Sequence, residues 1–202
     1  MLMKTFFLIL LTISLNAQTA NEIIQKIQTK FSSVEDLKAN FTQKINSSLN
    51  EDQMILSGKF FFKKKNKLRI EVKNRVIVSD GDTIWNYDKT AEKVIISTYD
   101  SDYTSFSLHE IINSYPEQCK KEKIGDQSGL LVVKLTPNDD QLNFKSAVIF
   151  VNKNYIVEKV EITDFNNLQF VFKLNSIELN NNLSEQLFNF KPTEGVKIVD
   201  LR

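Results

Sequence analysis

The residue types that carry out chemistry in proteins are present in this chain, but never at the spacings that chemistry requires. His109 is the only histidine, so neither an HExxH zinc site nor any multi-histidine metal site can be assembled. Asp80 and Asp82 flank Gly81 like a fragment of a calcium loop. With Gly81 as that loop's glycine, the ligands three and five residues earlier would be Val78 and Val76 and the closing glutamate would be Tyr87, so the stretch SDGD reads as a turn. Five glycines supply no phosphate-cradling loop. The sequons at Asn40, Asn46 and Asn182 are short matches that carry little weight. Cys119 has no second cysteine to pair with, which leaves stability to packing. No catalytic, metal or cofactor constellation emerges, and the chain reads as a non-enzyme that needs no cofactor.

What the sequence offers instead is apolar surface, and the elements that present it can be read from its periodicity. Ile23, Ile27, Phe31 and Val34, with Ile24 beside them, recur at helical spacing over residues 22–34. From Leu37 the period changes to two: Leu37, Ala39, Phe41, Gln43 and Ile45 alternate with polar residues. The same alternation recurs at Leu68, Ile70 and Val72, at Thr83, Trp85 and Tyr87, and at Leu168, Phe170, Phe172 and Leu174. Further strands are predicted over 55–63, 94–99, 130–136, 147–152 and 157–163, with a hairpin turn at Ser79–Asp82. A second, short helix is predicted over 104–115, ending before Pro116.

Close to ten one-sided strands and two short helices predict a mainly β fold, a strongly curved antiparallel sheet or incomplete β-barrel with a helical lid. Two helices of this length cannot cover the inner face of that many strands. That face, rich in the chain's fifteen phenylalanines, either packs into a filled core or lines an apolar cavity, and periodicity alone does not choose.

The first seventeen residues, MLMKTFFLILLTISLNA, combine Lys4, an apolar run from Phe6 to Leu11 and a small residue at Ala17, the pattern of a secretory signal peptide. The expected organisation is a signal peptide over 1–17 and a single domain over 18–202, soluble once the peptide is removed. The run is shorter than the roughly 20 residues of a spanning helix, although an uncleaved anchor competes because Leu15 stands where alanine is usual. Gln18 rather than cysteine follows Ala17, so the acceptor for a lipid anchor is missing there. With 26 basic and 25 acidic side chains the chain lacks the positive surface that nucleic acid requires. Its one dense basic run, Lys63, Lys64, Lys65, Lys67 and Arg69, is either a solvated turn or a docking patch for an acidic partner or anionic lipid.

In this order, LKANFTQKI (37–45), GKFFFKKKNKLRIEV (58–72), VSDGDTIWNYD (78–88), FSLHEII (106–112) and FNFKPTEGVKIVD (188–200) closely resemble the periplasmic outer-membrane lipoprotein carriers of the LolA family. The resemblance spans the whole chain after residue 17. It implies an incomplete barrel whose apolar cavity receives the acyl chains of lipoproteins. It further implies a monomeric periplasmic chaperone that takes cargo from an ATP-driven inner-membrane exporter and delivers it to an outer-membrane receptor. In the family an arginine often precedes a proline in the turn that latches the lid. Here Lys64 stands in the arginine's place and Lys65 in the proline's. A lysine cannot reproduce the planar five-donor fork, so a latch at Lys64 would be weaker or differently organised.

The physics of such cargo agrees with that role. A triacylated lipoprotein has on the order of 45 methylene-sized units, whose full exposure to water would cost roughly 35 kcal/mol at ~0.8 kcal/mol each. A carrier must therefore offer comparable apolar area and pass the chains directly between mouths. Phe41, Phe60, Phe62, Ile70, Trp85, Phe170 and Phe172 are the expected cavity wall, with Ile23, Ile27, Phe106 and Ile111 on the covering helices. A lipid-sensing or lipid-binding module of the same fold and a non-binding envelope protein with a filled barrel are the alternatives. The outer-membrane receptor of the same pathway shares the architecture but needs the lipidated cysteine that Gln18 replaces.

Overall fold

Thr19 opens the first helix of the computed structural model, which describes residues 18–46, 54–99 and 109–202. The Thr19 hydroxyl accepts the Glu22 N–H at 3.3 Å and the Glu22 carboxylate accepts the Thr19 N–H at 2.9 Å, a reciprocal capping box that satisfies two orphan donors. Helix α1 (Ala20–Ser32) buries Ala20, Ile23, Ile24 and Ile27. It stops two residues before the predicted end, so Val34 lies in the following turn, buried against Leu37 and Ala39.

Twelve strands follow: β1 (Asp36–Asn46), β2 (Met54–Lys63), β3 (Lys67–Val72), β4 (Arg75–Asp80), β5 (Thr83–Asp88), β6 (Lys93–Thr98), β7 (Cys119–Gln127), β8 (Leu130–Pro137), β9 (Ser146–Val151), β10 (Val157–Thr163), β11 (Gln169–Leu179) and β12 (Lys197–Asp200). They form one sheet in the order β12-β6-β5-β4-β3-β2-β1-β11-β10-β9-β8-β7. The sheet stays open, with β12 and β7 at its edges. Every pairing is antiparallel except β12 on β6, which is parallel, a departure from the all-antiparallel expectation.

The second helical segment also departs from expectation. Its described part is a π turn over Glu110–Ser114 followed by a 3-10 turn over Tyr115–Gln118. Pro116 sits inside that last turn rather than beyond it. In the first turn of a helix a missing N–H costs nothing, because no partner would have been available.

Register explains how one face stays apolar along strands of different length. Phe170, Phe172 and Leu174 on β11 lie opposite Ile45, Gln43 and Phe41 on β1. A bulge then shifts the pairing, with Ser176 at φ 52°, so that Ile177 and Leu179 return to the same face and pack against Val34, Leu37 and Ala39.

Two packed regions result. On the concave face, α1 and Ile111–Ile112 cover β8, β9 and β10, enclosing Val133, Leu135, Ile149 and Val160. On the opposite face, the cross-strand row Phe61, Arg69, Val78, Trp85 and Ile96 lies under the C-terminal segment. The 3-10 turn Glu185–Phe188 packs on β3 and β4, Phe188 is only 1% exposed, and Phe190 stacks at 5.5 Å on Tyr87. The strap thus covers the face of β4 and β5 that carries Val78, Trp85 and Tyr87, away from the cavity.

This strap is held by charge. Asp36, buried at 1% exposure, accepts the backbone N–H groups of Asn181 and Leu183 at 2.8 and 2.9 Å. Lys63 and Lys67 both pair with Glu185, at 2.8 and 2.6 Å, and Arg69 donates to the Leu187 carbonyl at 3.2 Å. Hydrogen bonds from the two lysines hold the Glu185 carboxyl down from its ordinary 4.5 to about 2.

Two expected outcomes follow from the strap. Asp36→Ala strands two part-buried N–H donors and should cost about 1–3 kcal/mol, read as a lower urea midpoint at unchanged slope. Because the folded-state pKa of Glu185 is depressed, its contribution is complete above pH 4.5 and is lost as the pH falls toward 2. The stability difference between the wild type and Glu185→Gln should accordingly be constant above pH 4.5 and vanish toward pH 2, and added salt should shrink it because Glu185 is more than half exposed.

Candidate functional site

Among the described residues α1 covers the β8–β10 side of the concave face and reaches β2 only through Phe31, so much of the stretch from β11 through β4 keeps apolar side chains with no described helix above them. Across that stretch lies a cavity of about 350 Å³, near the lower end of the range for small-ligand sites. Residues of β3 and β4 and residues of β10 and β11 line it together, which requires the sheet to curve through the five strand pairings that separate β4 from β10.

Five of the seven expected wall residues meet here: Phe41, Phe60, Phe62, Ile70 and Phe172. The other two do not. Phe170 shares the face of Phe172 but packs, opposite Ile162, against the cluster under α1. Trp85 pairs with Val78 and Ile96 on the other face of the sheet, beneath the strap. Its position was decided by the hairpin registers: Ile70 opposes Ile77, which opposes Asn86, so Asn86 and not Trp85 shares the cavity face.

Ile23, Ile27 and Ile111 are at most 1% exposed within the packed cluster, beside the cavity rather than around it. Phe106 lies outside the described residues. The helix meets the cavity instead through Phe31, whose ring lies 5.2 Å from Phe62 and 6.3 Å, edge-on, from His109. The helix also donates from the Gln28 side chain to the Ile112 carbonyl at 3.1 Å and from Lys26 to the Tyr155 hydroxyl at 3.1 Å.

Lys64 pairs with Glu35 in the loop after α1, and its backbone N–H donates to the Glu35 carbonyl at 3.0 Å. Both side chains are largely exposed, and such pairs contribute at most ~1 kcal/mol. The neighbouring residues Lys65 and Asn66 adopt φ 66° and 57°. Proline cannot reach that conformation, so the turn differs in backbone, not only in side chain, from one with proline at position 65.

Sequence reading missed Leu56 and Ile77 of the wall and the polar groups at its two ends, Gln43 and Arg75 at one, Asn66 and His109 at the other. Continuing the parity of Ile70 through the β3–β4 hairpin would have found Ile77. Nothing in the local pattern marks His109 or Arg75. Among the described residues no three His, Cys, Asp or Glu side chains converge on a possible metal. Cys119 is 4% exposed, and burial pushes its thiol up to about 11, far from the range of a nucleophilic thiolate. The chemistry of the site is therefore that of an apolar wall bordered by polar and charged groups, Glu158 and Lys159 of β10 among them. Also among the described residues, no helix is long and apolar enough to cross a membrane.

A family model described as outer membrane lipoprotein carrier protein LolA matches residues 32–191. Curated relatives named outer-membrane lipoprotein carrier protein include one from Haemophilus influenzae, 28% identical over 88% of this chain and 86% of its own length. Another, from Actinobacillus succinogenes, is 26% identical over 96% of this chain and 93% of its own. Among solved structures, an uncharacterized conserved protein from Thermus thermophilus superposes with a TM-score of 0.59 at 12% identity, covering 90% of this chain and 98% of that one. The lipoprotein LppX of Mycobacterium tuberculosis does so at 0.50 and 8% identity, covering 80% and 95%. These two are likenesses of fold.

The floor of the cavity yields one further expected outcome. Gly58 lies opposite Phe41 on β1 and Val72 on β3, and a Cβ there would stand 2.0 Å from the Glu71 carbonyl oxygen and 3.0 Å from the Phe41 ring. Gly58→Ala should destabilise the fold by about 1–3 kcal/mol through overpacking, measured by thermal unfolding.

Proposed function

The chain belongs to the outer-membrane lipoprotein carrier (LolA) family, a family of chaperones and not of enzymes, and from that premise we propose that it is a periplasmic carrier for the acyl chains of lipoproteins. The observation that carries this reading is the cavity walled by Phe41, Phe60, Phe62, Ile70 and Phe172 on one face of the sheet. Phenylalanine and aliphatic side chains favour acyl chains by area alone, at about 25 cal/mol per Å². Such a wall has few fixed polar partners, so it binds without locking cargo in one pose, as a protein that must release its load requires.

In this reading residues 1–17 are removed on export and residues 18–202 act as a single, monomeric domain. Cargo arrives from an ATP-driven exporter of the inner membrane and leaves to a receptor at the outer membrane. Helix α1 and the segment that includes Phe106 serve as the cover. Phe31 is the side chain through which α1 reaches the wall, and Glu35, in the loop about which that helix would swing, is tied to Lys64 of the β2–β3 turn.

The test is loading. The purified protein is incubated with inner membranes carrying a labelled triacylated lipoprotein and ATP, and soluble one-to-one complex is measured by size exclusion and mass spectrometry. The wild type should form it. Ile70→Asp, which puts a charge on the wall, should reduce it by about tenfold or more, whereas Trp85→Phe, on the other face, should leave it unchanged. Absence of complex with an exporter of verified activity would overturn the proposal in favour of a lipid-sensing module or a filled barrel.

A further inference from the structure

Strands β1 to β11 pair antiparallel, so their turns collect at two rims, and the rims differ in chemistry. At the rim of the 64–66 and 81–82 turns most of the basic run is paired internally, Lys63 and Lys67 with Glu185 and Lys64 with Glu35, while Lys65 is exposed. The other rim is formed where Ile45 faces Met54, where Val72 faces Arg75 around the Lys73–Asn74 turn, and where the Lys89 N–H closes on the Asn74 carbonyl at 2.9 Å. The β10–β11 turn reaches the same rim, since Gln169 pairs with both Asn46 and Thr163.

This second rim exposes apolar side chains. Met54 is 68% exposed, Ile55 55%, Leu56 40%, and Phe165, in the β10–β11 turn, 49%. Met54, Ile55 and Leu56 are consecutive, so the strand end is apolar on both faces, unlike the alternation of β3 or β11. Around them stand the exposed cations Lys44, Lys73, Arg75, Lys89 and Lys145. Of the described acidic groups nearby, Asp88 faces Arg75 at 3.9 Å and accepts the Thr90 and Ala91 N–H groups. Asp164 is occupied by the N–H groups of Asn166 and Leu168, and Glu92 is exposed.

We infer that this rim, Met54–Leu56 and Phe165 ringed by Lys44, Lys73 and Lys89, docks on the surface of an anionic phospholipid bilayer. Apolar side chains of this size enter the headgroup boundary while neighbouring lysines reach phosphates, the two components of reversible surface binding. A second copy of the chain fits less well, because a two-fold contact through this patch would set its lysines against one another. Continuity favours the bilayer as well. Leu56 and Arg75 belong both to the rim and to one end of the cavity, so an acyl chain leaving a membrane beneath the rim meets the cavity wall without crossing open water.

The inference goes beyond the carrier reading, and its test needs neither cargo nor exporter. The purified protein is floated with vesicles of phosphatidylglycerol and phosphatidylethanolamine at low ionic strength, and in parallel with vesicles of phosphatidylcholine alone. Binding should be to the anionic vesicles and should weaken with salt. Lys73→Gln and Lys89→Gln should each weaken it about fivefold, the equivalent of ~1 kcal/mol for one cation near an anionic surface. The double variant Met54→Ser, Ile55→Ser should weaken it about tenfold or more. These side chains are exposed and outside the cavity wall, so the unfolding temperature should not change. Three results would overturn the inference: no preference for anionic vesicles, binding that the substitutions leave intact, or self-association that Met54→Ser, Ile55→Ser abolishes, which would assign the rim to a second copy.

Discussion

A single buried carboxylate ties the fold together. Asp36 is the first residue of β1, directly after the loop from α1, and its oxygens hold the backbone just beyond the end of β11; its own carbonyl accepts the Asn180 N–H at 2.9 Å. The Asn181 and Leu183 backbone N–H groups meet its carboxylate, an arrangement a buried carboxylate tolerates when its lone pairs are filled. Helix, central strand pair and strap therefore meet at one residue. From that junction the helix is sent across one face of the sheet and the C-terminal segment across the other.

The cavity follows from that division. A sheet of twelve strands has two faces to cover, and the described chain has one three-turn helix, a few short helical turns and a C-terminal strap with which to cover them. The helix closes the concave face over β8–β10, where the packing is complete and Ile23 and Val133 are fully buried. The strap closes the convex face over β3–β6. What is left over among the described residues, the concave face of β1 to β4 and its β10–β11 shoulder, is hollow because no described element fills it. A packed half gives the hollow half a rigid frame.

Much of this was legible from period and composition. Alternation located β1, β3, β5 and β11, helical spacing located α1, and the SDGD stretch forms the predicted turn, with the Asp80 carboxylate accepting the Asp82 and Thr83 N–H groups and Gly81 at φ 109°. Strand β7 was missed because, as an edge strand, it carries Lys120, Glu122 and Ile124 outward and offers little apolar contrast. Strand β12 was missed because only four residues mark it, and its partner lies a hundred residues earlier in the chain. Trp85 was put on the wrong face for a related reason. Period two reports that a strand has two sides, but which side faces the cavity is decided by the registers of the hairpins that join it to its neighbours. The strap's coverage of Val78 and Ile96 is equally a long-range fact that no local window contains.

The pairing of β1 with β11 has a consequence in time. Strands β2 to β6 are joined by short turns, as are β7 to β11, so each meander can zip up from neighbouring residues as the chain emerges. Their union waits for Leu37 to find Leu179. Closing a loop of that length is slow compared with closing a hairpin. Until it happens, both halves of the future cavity face solvent as bare phenylalanine ladders, the state in which such chains stick to one another. The same side chains that suit the finished molecule to fatty cargo make its nascent form a client for protection, and selection on this sequence must have balanced the greasiness of the wall against the yield of the fold.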